Sequence, residues 1–292
     1  MILVAGATGL LGSEICRLLR EQGRPVRALV RAGSANAARL RELGVDVMVG
    51  DLRSPASVEE ACRGVDAVAS TATAMGTVDK QLNLRDVDRD AQLRLVEVAK
   101  ASGVQRFVYV SLSPKLQPTA PLVLYKREVE RALRASGMRW TILQPSVYME
   151  VWLSAKLGWD FIENRAMIFG AGDGPMSWIS VADVARYAVC ALDDPRLVNR
   201  DLPLAGPEAL SPNQVVKIFE ELSARRFKVR RIPRPMLLLL APMLRLFDEG
   251  IASGMAMGAQ SALGDQFDTP LQRELGPPTT TVREYAARVL RA

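Results

Sequence analysis

Three glycines at intervals of three, Gly6, Gly9 and Gly12, follow directly on four apolar residues, Ile2 to Ala5. A short continuous apolar run suits a strand buried on both faces. Beyond the glycines, Ile15, Cys16, Leu18 and Leu19 recur at helical spacing over Ser13 to Gln22, and Gly23 is placed to close that helix. A glycine turn between strand and helix presents bare main chain at a helix N-terminus. There the first N–H groups lack partners and the helix dipole is positive, so the chemistry on offer is capture of a diphosphate by Gly6, Thr8, Gly9, Leu10, Leu11 and Gly12. Thr8 occupies the middle glycine position of the commonest dinucleotide fingerprint, so the spacing is G-x-x-G-x-x-G.

The next strand, Pro25 to Val30, ends at Arg31, and no acid occurs between Gly23 and Arg41. A carboxylate at that place would accept a ribose 2′-hydroxyl; a guanidinium matches a 2′-phosphate by charge and fork geometry. The expected cofactor is therefore NADP(H), with Arg27 on the same strand face adding to the field. Asp51 and Leu52 follow a third strand, Val45 to Val49, where Asp51 is either a partner for the adenine amino group or a turn residue leading into the next helix. Ser70, Thr71, Ala72 and Thr73 end the fourth strand, Val65 to Ala69, and are small enough for phosphates and ribose to lie against them. Ser111 and Ser113 lie just past the fifth, Arg106 to Val110, in the expected nicotinamide region.

These residues need strand ends on one edge of a sheet. Helices over Ala35 to Leu43, from Ser54-Pro55 to Cys62, over Asp86 to Ala101 and over Leu124 to Ser136 alternate with the strands, and Trp140 to Leu143 adds another ending at Pro145. Repeated strand–helix units predict an α/β fold with a doubly wound parallel Rossmann sheet. The expected division is a nucleotide-binding domain over 1–150, with strand returns from about 178–206, and a smaller C-terminal α/β lobe over 151–292 for substrate or partner. In that lobe Trp152, Trp159, Phe161, Met167 and Phe169 form either a substrate wall or ordinary core. Asp183 to Leu192 reads as helix, Arg200 to Leu204 as strand, and Ser211 with Gln214 and Thr281 with Glu284 read as capping boxes.

Composition narrows the chemistry further. The chain of 292 residues has no histidine, which removes Ser-His-Asp and Cys-His catalysis and His-ligated metal sites, and no metal site is expected. Three separated cysteines, each among apolar helical residues, read as reduced thiols, and a cytoplasmic location without signal peptide or spanning helix is expected. A net charge of +6 without a basic tail gives no expectation of nucleic-acid binding. Residues 225 to 234 are strongly basic and Met236 to Phe247 apolar. Segment 225–247 is either a strand edge and packed helix or a contact to a peripheral membrane or protein partner. The protein is expected as a monomer or homodimer.

Gly6-Ala-Thr-Gly-Leu-Leu-Gly12, Val26 to Arg31, Gly50-Asp-Leu52, Tyr125-Lys-Arg-Glu-Val-Glu130, Thr141 to Pro145 and Ile179 to Ala185 together resemble the NmrA-like group of atypical short-chain dehydrogenase/reductases. The resemblance implies a Rossmann domain binding NADP(H) and a smaller substrate lobe. Such relatives include isoflavone-reductase-like enzymes, quinone reductases, cofactor-binding redox sensors and photosystem assembly factors. It further implies that Lys126 lies near the nicotinamide ribose and substrate, donating to a developing oxyanion or acting as a base. The Tyr-x-x-x-Lys pair of short-chain dehydrogenases needs tyrosine at 122, where this chain has leucine, and Tyr125 points elsewhere around the helix. Ser111, Ser113 or Tyr148 then stands in as acid. The expected activity is reduction of a small, apolar carbonyl, quinone or conjugated alkene by NADP(H), the alternative being a non-catalytic NADP(H)-binding sensor or assembly factor working through a protein partner.

Overall fold

The computed structural model describes all residues except Val78, Lys80, Asp268 and Ala292. In chain order, β1 (Ile2–Ala5), α1 (Leu10–Glu21), β2 (Val26–Val30), α2 (Ala37–Glu42), β3 (Asp46–Val49), α3 (Pro55–Cys62) and β4 (Ala67–Ser70) make the first strand–helix repeats. A π-helical segment, Arg85–Ala91, runs into α4 (Gln92–Ala101), followed by β5 (Arg106–Val110), α5 (Pro121–Ala135) and β6 (Arg139–Pro145). Then come α6 (Met149–Trp152), β7 (Arg165–Phe169), α7 (Val181–Asp193), β8 (Arg200–Leu204), α8 (Pro212–Ser223), β9 (Lys228–Ile232), α9 (Arg234–Leu244), α10 (Glu249–Ser261), α11 (Pro270–Glu274) and α12 (Val282–Val289).

Seven strands form one sheet in the order β3-β2-β1-β4-β5-β6-β8, parallel from β3 through β6, so the doubly wound α/β fold is present. The order reverses between β1 and β4, and in such sheets ligands bind beyond the carboxyl ends of the strands at that reversal. Register fixes which residues emerge there. Ala5 lies level with Leu29 on one side and Ser70 on the other, so Gly6, the Val30–Arg31 step and Thr71 leave the sheet on one edge.

Two units divide the chain. The first comprises Met1–Ser111, Pro121–Leu143 and Val184–Leu202. Its core contains Leu3, Val68 and Phe107, which share a row across three strands, together with Leu95, Ala99 and Leu133 from helices; each of the fully buried valine, leucine and phenylalanine side chains contributes roughly 2 kcal/mol. Ser54 caps α3 by accepting from the Ser57 N–H, with Pro55 at the first helical position. Helix α1 starts at Leu10, one turn ahead of the Ser13 expected from apolar spacing, because the glycine turn itself closes into the helix.

The second unit comprises Leu112–Ala120, Gln144–Asp183 and Pro203–Ala292. Its core is aromatic: Phe161 stacks on Phe219 at 4.8 Å between centroids, with Trp159 and Phe227 tilted against the same ring. Trp152, Trp159, Met167 and Phe169 also line a cavity of about 30 Å³, room for a water or two; Trp159 is buried in the core and Trp152 packs against it. Both expected capping boxes are formed, on α8 and α12. Strand β7 pairs in parallel with β9, giving the basic segment a strand as its structural role, and α9 and α10 pack together as a hairpin. Among the described residues no helix is long and apolar enough to cross a membrane, and no acid–cysteine cluster fit to hold a metal is found.

Candidate active site

The turn after β1 is built for backbone presentation. Gly6 has φ +84°, a conformation open to glycine, and its carbonyl accepts from the Gly9 N–H at 3.0 Å. A Cβ on Gly12 would sit 2.2 Å from the Gly6 carbonyl oxygen, so only hydrogen fits where α1 meets the turn. Around this core, Thr71 Oγ donates to the Ala5 carbonyl at 3.2 Å, and Asn36 Nδ2 donates to the Thr8 carbonyl at 2.8 Å. The turn is thus tied on both sides. Helix α1 has no side-chain cap and no acid in its first turn, so the N–H groups after Gly9, at Leu10, Leu11 and Gly12, carry the uncompensated positive end of the dipole. These residues fit a diphosphate: bare main chain, unfilled donors and no carboxylate in the first turn of the helix.

Arg31 follows directly on β2 and is half exposed; its guanidinium donates to Asp79 at 2.7 Å. Arg27 does not share that surface. It binds Asp46 at 3.0 Å and the carbonyls of Ala61 and Arg63, which pins β2 to β3 and to the end of α3 and leaves Arg31 as the cation of that strand end. Asp51 is held by Arg53 through both main chain and guanidinium, and this pairing keeps its carboxyl below the usual carboxylate range; Leu52 is half-buried against the core. Ser70 is fully buried and donates to Gln92 at 2.7 Å, while the Gln92 amide donates to the Ala72 carbonyl, so α4 fixes the β4 exit loop.

Beyond β5, Lys126 of α5 is 4% exposed. Its ammonium donates to the Val110 carbonyl at 3.2 Å, lies 5.0 Å over the Tyr109 ring and faces Asp88 Oδ1 at 3.7 Å, too far for a hydrogen bond but close enough for an ion pair. Burial pushes the Asp88 carboxyl up and the Lys126 ammonium down, and each charge opposes the shift of the other. Asp88 Oδ2 accepts the Ala74 N–H at 2.8 Å; Oδ1 has no hydrogen-bond partner among the described residues. Glu130, one turn further along α5, accepts from Arg127, Arg134 and, at 2.5 Å, Ser111. Chemically, a buried cation beside an incompletely satisfied carboxylate holds a proton that is easily moved.

The three hydroxyls considered as the acid differ in their commitments. Ser111 donates to Glu130, and Ser113, in the second unit, donates to Asp265 at 2.6 Å. Tyr148 Oη is buried with no hydrogen-bond partner among the described residues, and burial raises its phenol well above the ordinary value. Pro145 ends β6, and Leu122 is buried apolar filling of α5, so no phenol stands one turn before Lys126. Sequence reasoning missed Asp88, Gln92 and Asp79. Asp88 and Gln92 did carry a signal, being polar residues on the stripe that continues as Leu95, Val96 and Ala99; Asp79, in an irregular loop, did not.

The comparisons agree with this architecture. An NAD(P)H azoreductase from Xenophilus azovorans is 35% identical over 227 residues, 77% of this chain and 74% of its own. The photosystem II assembly factor Ycf39 of Synechocystis sp. is 27% identical over 309 residues, 99% of this chain and 92% of its own. The NADPH-dependent quinone oxidoreductase QOR2 from Escherichia coli, solved with NADPH, has the same fold with a TM-score of 0.77, 24% identity and 99% of each chain covered. The NmrA-like family model matches residues 1–286, and the chain belongs to the NmrA-like family.

Proposed function

We propose that this chain is an NADP(H)-dependent oxidoreductase that reduces a small apolar carbonyl, quinone or conjugated alkene. The observation that carries the reading is the buried Lys126–Asp88 pair at the exit of β5, in a sheet whose first turn offers uncapped main-chain donors. The family relative named as an NAD(P)H azoreductase supports a redox use of the same framework. In this reading the turn residues Gly6 to Gly12 bind the diphosphate, Arg31 the 2′-phosphate, and Ser70 to Ala72 with Asp51 and Leu52 border the nucleotide. The nicotinamide, when bound, supplies the hydride. Lys126 donates toward the oxygen on which charge develops, Asp88 steadies its ammonium, and Ser111 serves as a hydroxyl donor.

The test is NADPH oxidation with a panel of quinones and enones. Wild type turns over at least one class, and Lys126→Met lowers kcat by about 100-fold while NADPH affinity changes far less. Absence of turnover across the panel, with tight NADPH binding, would favour the second reading.

That second reading is a non-catalytic NADP(H)-binding sensor or assembly factor acting through a protein partner. Buried Leu122 in place of a phenol favours it. Release of a co-purified partner on exchanging NADP⁺ for NADPH is its signature.

A further inference from the structure

Folded chains normally direct the apolar face of a helix inward and leave charge outside. Helix α9 departs from this. Leu237 and Ala241 face inward, yet Leu238, Leu239 and Met243 face out, the turn into α10 adds Leu246 and Phe247, and the start of α10 adds Ile251. Leu239 is 67% exposed, Leu246 85% and Phe247 86%. No charged side chain lies on α9 between Arg234 and Leu244. A contiguous apolar surface of this kind marks an interaction site.

Charge identifies the occupant. From 225 to 251 the chain carries seven basic side chains against two acidic ones, and one acid, Asp248, is occupied in capping α10 through the Ile251 N–H. Arg245 lies in the same turn as Leu246 and Phe247 and is exposed; Lys228 and Arg230 are exposed on β9, which leads through Pro233 into α9. A second copy placed face to face would set these cations against their own equivalents. An anionic lipid surface satisfies both features, apolar side chains entering the acyl boundary while arginine and lysine reach the headgroups. With 11 residues, α9 extends roughly 16 Å, enough to lie in that boundary and too short to cross it.

We propose that the α9–α10 hairpin is a docking surface for an anionic membrane, with Leu239, Leu246 and Phe247 as the inserting residues and Arg245, Arg230 and Lys228 as the headgroup contacts. The experiment is flotation of the full chain with vesicles of phosphatidylcholine alone and of phosphatidylcholine with phosphatidylglycerol in equal parts, at low and high salt. The protein floats with the anionic vesicles and is released by salt. Leu239→Glu combined with Phe247→Glu lowers the bound fraction at least about tenfold. The thermal midpoint and NADPH affinity stay as in wild type, because both side chains are exposed. Arg230→Glu with Arg245→Glu abolishes the preference for anionic over neutral vesicles. The proposal is overturned by flotation no better with anionic than with neutral lipid, by Glu variants that float like wild type, or by a concentration-dependent dimer that the Leu239→Glu, Phe247→Glu protein cannot form.

Discussion

Alanine at Gly9 and alanine at Gly12 separate what the turn binds from what holds it together. At Gly12 a Cβ would meet the Gly6 carbonyl oxygen at 2.2 Å and Ala7 Cα at 2.9 Å, all rigid main chain, so α1 or the turn must move by about 1 Å to restore an ordinary contact. Overpacking of that size costs about 3 kcal/mol, a fall in Tm of roughly 5–10 °C, and displaces every first-turn N–H, so NADPH affinity falls about 100-fold. At Gly9 the nearest atom to a new Cβ is the same oxygen at 3.4 Å, and φ is −81°, so alanine fits the protein without strain. Stability then falls by no more than about 1 kcal/mol, the difference between glycine and alanine at a helix N-cap. NADPH affinity nevertheless falls at least about tenfold, since the methyl group occupies the side from which a diphosphate approaches bare main chain. Calorimetric titration with NADPH and thermal melts read both quantities. Wild-type NADPH affinity in Gly9→Ala would refute the reasoning, because the diphosphate would then not lie on this turn.

Three further outcomes follow from named contacts. Arg31→Ala lowers affinity for NADPH by roughly tenfold or more and leaves NADH affinity within about twofold, whereas Asp79→Asn, which frees Arg31 from its carboxylate, tightens NADPH roughly two- to fivefold; titrations with both nucleotides decide, and unchanged discrimination in Arg31→Ala removes its role. Ser111→Ala lowers kcat about tenfold or more with little change in NADPH affinity, and a wild-type rate leaves that hydroxyl without a part in turnover. Burial pushes the Cys16 and Cys62 thiols up from 9.0 to about 12 and about 11, so the folded state binds more protons than the unfolded one above pH 9 and stability falls as pH rises. The loss reaches about 1 kcal/mol for each by about pH 10, seen as a falling Tm, and a disulfide-exchange reagent at about pH 8 titrates only the half-exposed Cys190 in the native protein. Stability that rises from pH 9 to 10, or rapid titration of all three thiols, would contradict this.

What could be read from residues alone was the chemistry that is local in sequence. The strand–glycine–helix passage, the strand ends at Arg31 and Ser70, and both capping boxes depend on neighbours a few positions apart, and each is present, the helix alone starting one turn earlier than its apolar spacing. Three things escaped. Helix α10, with three glycines in thirteen residues, has poor intrinsic helix propensity and no local pattern announced it; at Gly258 it lies so near the Phe169 ring that a Cβ would come within 3.1 Å. Strand β7 is defined only by its pairing with β9, some sixty residues later, which no local pattern announces. The partner of Lys126, Asp88, comes from a different helical segment nearly forty residues earlier, which spacing along α5 cannot show.

The interleaving of the two units bears on how the chain can be cut. Each is assembled from three separate stretches, and the polypeptide passes from one to the other five times. Expressing residues 1–150 alone therefore deprives the nucleotide-binding unit of Val184–Leu202, which supplies most of α7 and the start of β8. A fragment so made lacks an outer strand of its sheet, and protease nicking at any one connection releases neither unit whole. Autonomous halves would have to be sought by rewiring the order of segments, never by trimming an end.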